Sequence, residues 1–145
     1  HGVFRRQRQM CIRDRIMRPS DFDVVLCCNQ LGDIFSDLTG TFSGSLGMLP
    51  SACLASSPSA EPSFGIYEST AGSAPDIAGK GIANPIGTIL AVGMMFKYTF
   101  QRPDLAFMIQ SAVEKALNDG IKTLDIGGNA TSEQMTKAIE ESLTK

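Results

Sequence analysis

Asp33 and Asp37 stand four residues apart in the run Asn29-Gln30-Leu31-Gly32-Asp33-Ile34-Phe35-Ser36-Asp37. On a helix this spacing puts both carboxylates on one face, about one turn apart, where they repel unless a cation lies between them. Oxygen donors without His or Cys suit Mg2+ or Mn2+, with water or substrate completing the shell. Taken alone, the same spacing also describes an ordinary solvated acidic face, the commoner use of such a pair.

The second chemical signal is the stretch Gly72-Ser73-Ala74-Pro75-Asp76-Ile77-Ala78-Gly79-Lys80-Gly81-Ile82-Ala83-Asn84. Its Gly79-Lys80 pair suggests a P-loop, but that motif needs Gly where Ala74 stands and Ser or Thr where Gly81 stands. No G-x-G-x-x-G follows a strand pattern, so a Rossmann dinucleotide site is not supported. What remains is a loop of small residues that lets backbone N–H groups approach an anion, with Asp76 able to accept hydrogen bonds from a diol such as a ribose. A purely structural loop is the alternative.

Other chemistry is restricted by what the chain contains. Its single histidine is His1, which excludes a Ser/His/Asp or Cys/His triad built from these residues alone, and any zinc site based on histidine. Cys11, Cys27, Cys28 and Cys53 form no C-x-x-C spacing, which suggests packed thiols in a reduced, cytoplasmic setting. The 145 residues, 43% hydrophobic and 19% charged, allow one domain with a real core. The uncharged stretch from Gly81 to Phe96 is only 16 residues long and contains Asn84 and Pro85, too short for a membrane span. The net charge of −2 hides six arginines among residues 1–18. Residues 1–15 lack helical or strand periodicity and are expected to be a non-native segment; a nucleic-acid-binding arm is the weaker alternative, and no nucleic-acid partner is expected.

The elements that must position these groups follow from pattern. Phe22 to Cys28 is a continuous apolar run that predicts a buried strand, followed by a short helix over Asn29 to Gly44. Gly44 to Ser51 predicts a turn region, Ala55 to Ser63 a surface loop, and Phe64 to Tyr67 a second short strand. Glu68 to Asn84 is a long loop, of the kind that usually carries function. Pro85 suits the first turn of a helix reaching about Phe100. A second helix is predicted from Pro103 to Asp119, its apolar face carrying Leu105, Ile109, Ala112, Val113, Ala116 and Leu117, with Gly120 as its stop. Lys122 to Asp125 predicts a brief strand. Thr131-Ser132-Glu133-Gln134 is a capping box for a last helix carrying Met135, Ile139 and Leu143.

Four blocks in series, NQLGDIFSD, GSLGMLPSA, YESTAGSAPDIAGKGIANP and GIKTLDIGGNATSEQM, resemble the isocitrate/isopropylmalate dehydrogenase family. They look most like the carboxy-terminal two-fifths of its 3-isopropylmalate dehydrogenases, from about Asp21 onward. The resemblance implies a partial α/β fold of that family, not a Rossmann fold, with residues 16–145 as its carboxy-terminal portion. It implies an NAD-dependent oxidative decarboxylation of 3-isopropylmalate to 4-methyl-2-oxopentanoate and CO2, a step of leucine biosynthesis, in a homodimer. Asp33 and Asp37 would hold Mg2+ or Mn2+, whose Lewis acidity serves the decarboxylation. Gly72, Ser73, Ala74, Pro75, Asp76, Ile77, Ala78, Gly79, Lys80, Ala83 and Asn84 would line the adenosine half of NAD, with Asn29 and Glu68 towards the nicotinamide. A carboxylate at Asp76 favours a free ribose 2′-hydroxyl over a 2′-phosphate, and NADP-using relatives carry a Lys-Tyr pair where Asp76-Ile77 stand.

The resemblance also implies what these residues omit. The family's substrate-clamping arginines, its catalytic Tyr and Lys and a third metal-binding Asp lie outside the matched blocks, so the chain is expected to be a fragment that is inactive alone. Departures from the family pattern are Gln30-Leu31 for Leu-Phe, Ser69 for Pro, and Ala71 where many members have His. An NAD-dependent isocitrate or homoisocitrate dehydrogenase, or a non-catalytic regulatory subunit, is the alternative.

Overall fold

The computed structural model of the chain describes residues 17–22, 24–56 and 62–144. The segment 1–15 read above as non-native lies outside them. The chain divides between Phe42 and Ser43 into two compact units.

The first unit contains a 3-10 turn at Pro19–Asp21 and helix α1, Asn29–Gly40. The strand expected over Phe22 to Cys28 does not form among the described residues of that run, which lie without regular structure; Val24 is 87% and Leu26 98% exposed. The physical reason is that a strand exists only through a hydrogen-bonded neighbour, and an apolar run without one among the described residues has nothing to pair with. Helix α1 begins where expected but ends at Gly40, and residues 41–43 tighten into a 3-10 turn. Within it the Ser36 hydroxyl donates to the Asp33 carbonyl at 2.8 Å and the Thr39 hydroxyl to the Ser36 carbonyl at 2.6 Å. Such local bonds compete with the regular ladder and are common where a helix is about to end.

The second unit is built around an antiparallel hairpin. Strand β1, Pro50–Leu54, pairs with β2, Gly65–Ser69, in the register Pro50 opposite Ser69 and Leu54 opposite Gly65. Pattern reading placed β2 within a residue or two but took the start of β1 for part of a turn region. Three helices follow: α2 at Ile86–Tyr98, α3 at Pro103–Asn118 and α4 at Ser132–Leu143. Helix α2 packs on the hairpin and on α3, and α4 packs on α3. Ile86, Ala112, Val113, Ala116, Met135 and Ile139 form the buried core that joins the three helices. The predicted capping box is present: the Gln134 N–H donates to the Thr131 hydroxyl at 3.2 Å, and the Thr131 N–H to the Gln134 side chain at 2.8 Å. Gly120 follows α3 at φ 83°, the left-handed conformation that suits a helix stop. The brief strand expected at Lys122 to Asp125 is instead one bridge between Thr123 and Ala130, followed by a 3-10 turn at Leu124–Ile126. Two residues of ladder are too few to extend against the tight turn that follows.

Two close approaches set where α2 begins. A Cβ at Gly87 would lie 2.9 Å from the carbonyl oxygens of both Gly47 and Leu49, so the first turn of α2 sits directly on that backbone. One residue earlier, the Asn84 side-chain oxygen accepts from the Ile86 N–H at 3.0 Å while its amide donates to Asp125 at 3.0 Å. The Asp125 carboxylate also accepts from the Thr123 hydroxyl. Burial pushes the Asp125 carboxyl up, but hydrogen bonds from Ser45, Thr123 and Asn84 outweigh it and hold the group below the usual carboxylate range.

Gly87→Ala should therefore destabilise the chain by about 1–3 kcal/mol, because the obstructing atoms are backbone and cannot rotate away; a shifted denaturant midpoint would show it, and an unchanged midpoint would refute the close packing. A depressed folded-state pKa at Asp125 stabilises the fold above its unfolded value and is lost as pH falls through the folded one. Stability should thus decline below about pH 4. Asp125→Asn should flatten that part of the profile at a cost of about 1 kcal/mol near neutrality, since solvent weakens the bonds of a partly exposed group.

Candidate functional site

The Glu68–Asn84 loop is held at both ends and open between them. At its entry the Thr70 N–H donates to the Leu49 carbonyl at 3.1 Å, extending the hairpin by one bond, and the Ala71 N–H donates to the Ser69 hydroxyl at 3.1 Å. At its exit the Ser132 N–H donates to the Gly81 carbonyl at 2.8 Å, the Ser132 hydroxyl donates to the Ala83 carbonyl, and Asn84 makes the two bonds described above. Between these anchors the chain makes successive tight turns, with the N–H groups of Ile77 and Lys80 donating to the carbonyls of Ala74 and Ile77, each at 3.1 Å. Ala74, Gly79 and Gly81 have positive φ of 40°, 75° and 65°. Glycine suits the last two because it carries no Cβ penalty there; Ala74 holds the conformation under strain.

The loop's outer surface is unobstructed. Ala71 to Asp76 and Ala78 to Gly81 are exposed, and Ile77, Ile82 and Asn84 are half-buried beneath them. Nothing lies within 4 Å of where a Cβ would stand at Gly72, Gly79 or Gly81. At Gly72 the absence of a side chain answers neither to a left-handed backbone nor to packing among the described residues. Asp76 projects from the turn, and among the described residues no hydrogen-bond donor or cation satisfies its carboxylate. The loop can therefore offer backbone groups and one unengaged carboxylate to a ligand carrying hydroxyls.

Asp33 and Asp37 belong to the first unit, both exposed and one turn apart on α1, with Asn29 at its start. Among the described residues neither carboxylate is in an ion pair, and no three His, Cys, Asp or Glu gather into a group able to hold a metal ion. The pair could supply two oxygen donors to a cation and, among the described residues, has no third beside it. Glu68 is exposed near the end of β2.

Sequence reading missed two contributors to the loop's geometry. Asp125 was read only as part of a brief strand, although a carboxylate within a block of Gly, Thr and Asn is a common turn-forming hub. Ser69 stood out only as a departure from the family pattern, yet its hydroxyl caps the turn into the loop, a short-range bond typical of serine.

The sequence pattern described as isocitrate/isopropylmalate dehydrogenase matches residues 10–141. The 3-isopropylmalate dehydrogenase of Mannheimia succiniciproducens is 52% identical over 116 residues, covering 80% of this chain and 31% of the relative. That of Geobacter metallireducens is 50% identical over 122 residues, covering 84% and 32%. Among solved structures, isocitrate dehydrogenase from Methylococcus capsulatus superposes with a TM-score of 0.81 at 36% identity, covering 94% of this chain and 39% of that one. A β-decarboxylating dehydrogenase from Thermococcus kodakarensis gives 0.77 at 35% identity, covering 94% and 38%. The chain spans about a third of the length of the curated relatives it matches. No helix among the described residues is long and apolar enough to cross a membrane. On this combination of sequence blocks, mixed helix-and-strand architecture and anchored loop, the chain belongs to the isocitrate/isopropylmalate dehydrogenase family.

Proposed function

We propose that these residues carry the metal-binding helix and the adenosine-binding loop of an NAD-dependent 3-isopropylmalate dehydrogenase, a cytoplasmic homodimer in leucine biosynthesis. The remaining catalytic groups would come from parts of the enzyme outside these residues, and the chain alone would not turn over. The observation that carries the reading is the open glycine at position 72 beside the unengaged Asp76, on a loop anchored at both ends. A glycine with neither a left-handed backbone nor a packing reason among the described residues is explained by a ligand that comes close to the main chain.

The division of labour follows from the chemistry of the groups. Asp76 accepts hydrogen bonds from the two hydroxyls of a free ribose and repels a 2′-phosphate, which selects NAD over NADP. Half-buried Ile77 and the chain from Ala83 to Asn84 offer an apolar and polar edge to the adenine, and backbone from Gly72 to Ala74 allows close approach. Lys80, exposed on the same loop, would add a positive charge beside the bound coenzyme. Asp33 and Asp37 give two hard oxygen ligands to Mg2+ or Mn2+, a donor set that suits those ions. When bound, the ion supplies the Lewis acidity that a β-decarboxylation needs. The exposed Leu31 and Ile34 on α1 support burial of that helix against a further part of the enzyme or its dimer partner.

Identity near one half with several 3-isopropylmalate dehydrogenases supports the branched substrate. The test is a hybrid in which the matching 122 residues of this chain replace their counterparts in the Geobacter metallireducens relative. It should oxidise 3-isopropylmalate with NAD+ and Mn2+; activity confined to isocitrate would overturn the substrate, and a preference for NADP+ would overturn the role of Asp76. In the same hybrid Asp37→Asn should weaken Mn2+ binding by roughly tenfold or more, each decade being about 1.4 kcal/mol. Equal Mn2+ affinity would favour a regulatory subunit instead.

A further inference from the structure

Gly47 lies outside the loop, in the 3-10 turn Leu46–Met48 capped by the Ser45 hydroxyl, which accepts from the Gly47 N–H at 3.0 Å. A Cβ built there would stand 2.9 Å from the Asn84 Cβ, 3.3 Å from a carboxylate oxygen of Asp125 and 3.4 Å from the Ser45 hydroxyl oxygen. The Gly47 carbonyl in turn lies against Gly87. The same glycine thus touches the exit of the loop through its α-carbon and the start of α2 through its carbonyl.

We infer that Gly47 is a positioning residue for the adenosine end of the coenzyme: the empty space at its α-carbon fixes where Asn84 ends the loop. This rests on the reading of the loop given under Proposed function. The first contact is with a Cβ, one bond from the main chain, so no side-chain rotation relieves it. On the far side the helix cannot yield, because Ile86 is fully buried in the core and Gly87 is trapped against the carbonyls of Gly47 and Leu49. Displacement must pass to the loop side of Asn84, towards Ala83 and the turns above. Both 3.0 Å bonds of the Asn84 side chain, to Asp125 and to the Ile86 N–H, are stretched by that movement. A methyl group at position 47 therefore changes the shape of the loop's exit while the helical core stays in place. Binding sites tolerate errors of only a fraction of an ångström in such supports.

The experiment titrates AMP into the 145-residue chain and its variants, following backbone amide shifts of residues 72–84 and the side-chain amide of Asn84 by NMR. In the parent chain AMP should shift these signals saturably. Gly47→Ala should move the Asn84 side-chain signal in the free protein and weaken AMP by about fivefold or more, with amide protection across α3 and α4 retained. A merely structural role would lower the melting temperature and leave AMP affinity unchanged in the folded fraction, which would overturn the inference. Ser45→Ala, which loosens the same turn without adding atoms, should weaken AMP in the same direction. Should Gly47→Ala fail to fold, Ser45→Ala decides alone, and parental AMP affinity in it overturns the inference. Absence of AMP binding to the parent chain would instead overturn the adenosine-site reading itself.

Discussion

The contact on which the second unit depends is the seating of the first turn of α2 on the carbonyls of Gly47 and Leu49. It is possible because position 87 has no side chain, and it brings three sequence-distant pieces to one place. The turn at Leu46–Met48 leads into β1, the loop's exit leads into α2, and Asp125 ties both to the segment before α4. Close packing of backbone on backbone leaves few alternatives, since neither partner has a rotamer to change. The exit of the candidate coenzyme loop lies beside this contact, while the bonds of Thr70, Ala71 and Ser132 hold its two ends.

The helices were largely legible, whereas of the sheet only β2 was. α3 and α4 announce themselves by apolar spacing, a leading proline, a trailing glycine and a capping box, all local signals that survive whatever surrounds them. α2 was readable from Pro85 and its continuous apolar run, although its boundary fell a residue or two inside the expected one. Strands depend on partners, and there the pattern misled in both directions. The apolar run around Val24 and Leu26 is exposed and unstructured, whereas Pro50–Leu54, short and rich in small residues, pairs because β2 is available to it. Non-local pairing is what a linear pattern carries least of.

At the candidate site, the residue types were visible in the sequence and their supports were not. The loop's extent, its glycines and Asp76 could be read directly, as could the one-turn spacing of Asp33 and Asp37. The hydrogen-bonded hub at Asp125 spans 41 residues to Asn84, and the packing of Gly47 against Asn84 spans nearly as many. Such contacts leave no local trace except a glycine or an acidic residue that could serve many purposes.

Ala74 has one further consequence. Its left-handed backbone stores strain on the order of 1 kcal/mol or more, and a loop that settled freely in solution would release it. The bend is held between bonded anchors, at Thr70 and Ala71 before it and at Gly81 and Ala83 after it. On the proposed reading, a ligand that fits this bend would lose little disorder on docking, and one that needs a different curvature would bind less well. The loop would then discriminate by its held backbone shape as much as by matching polar groups.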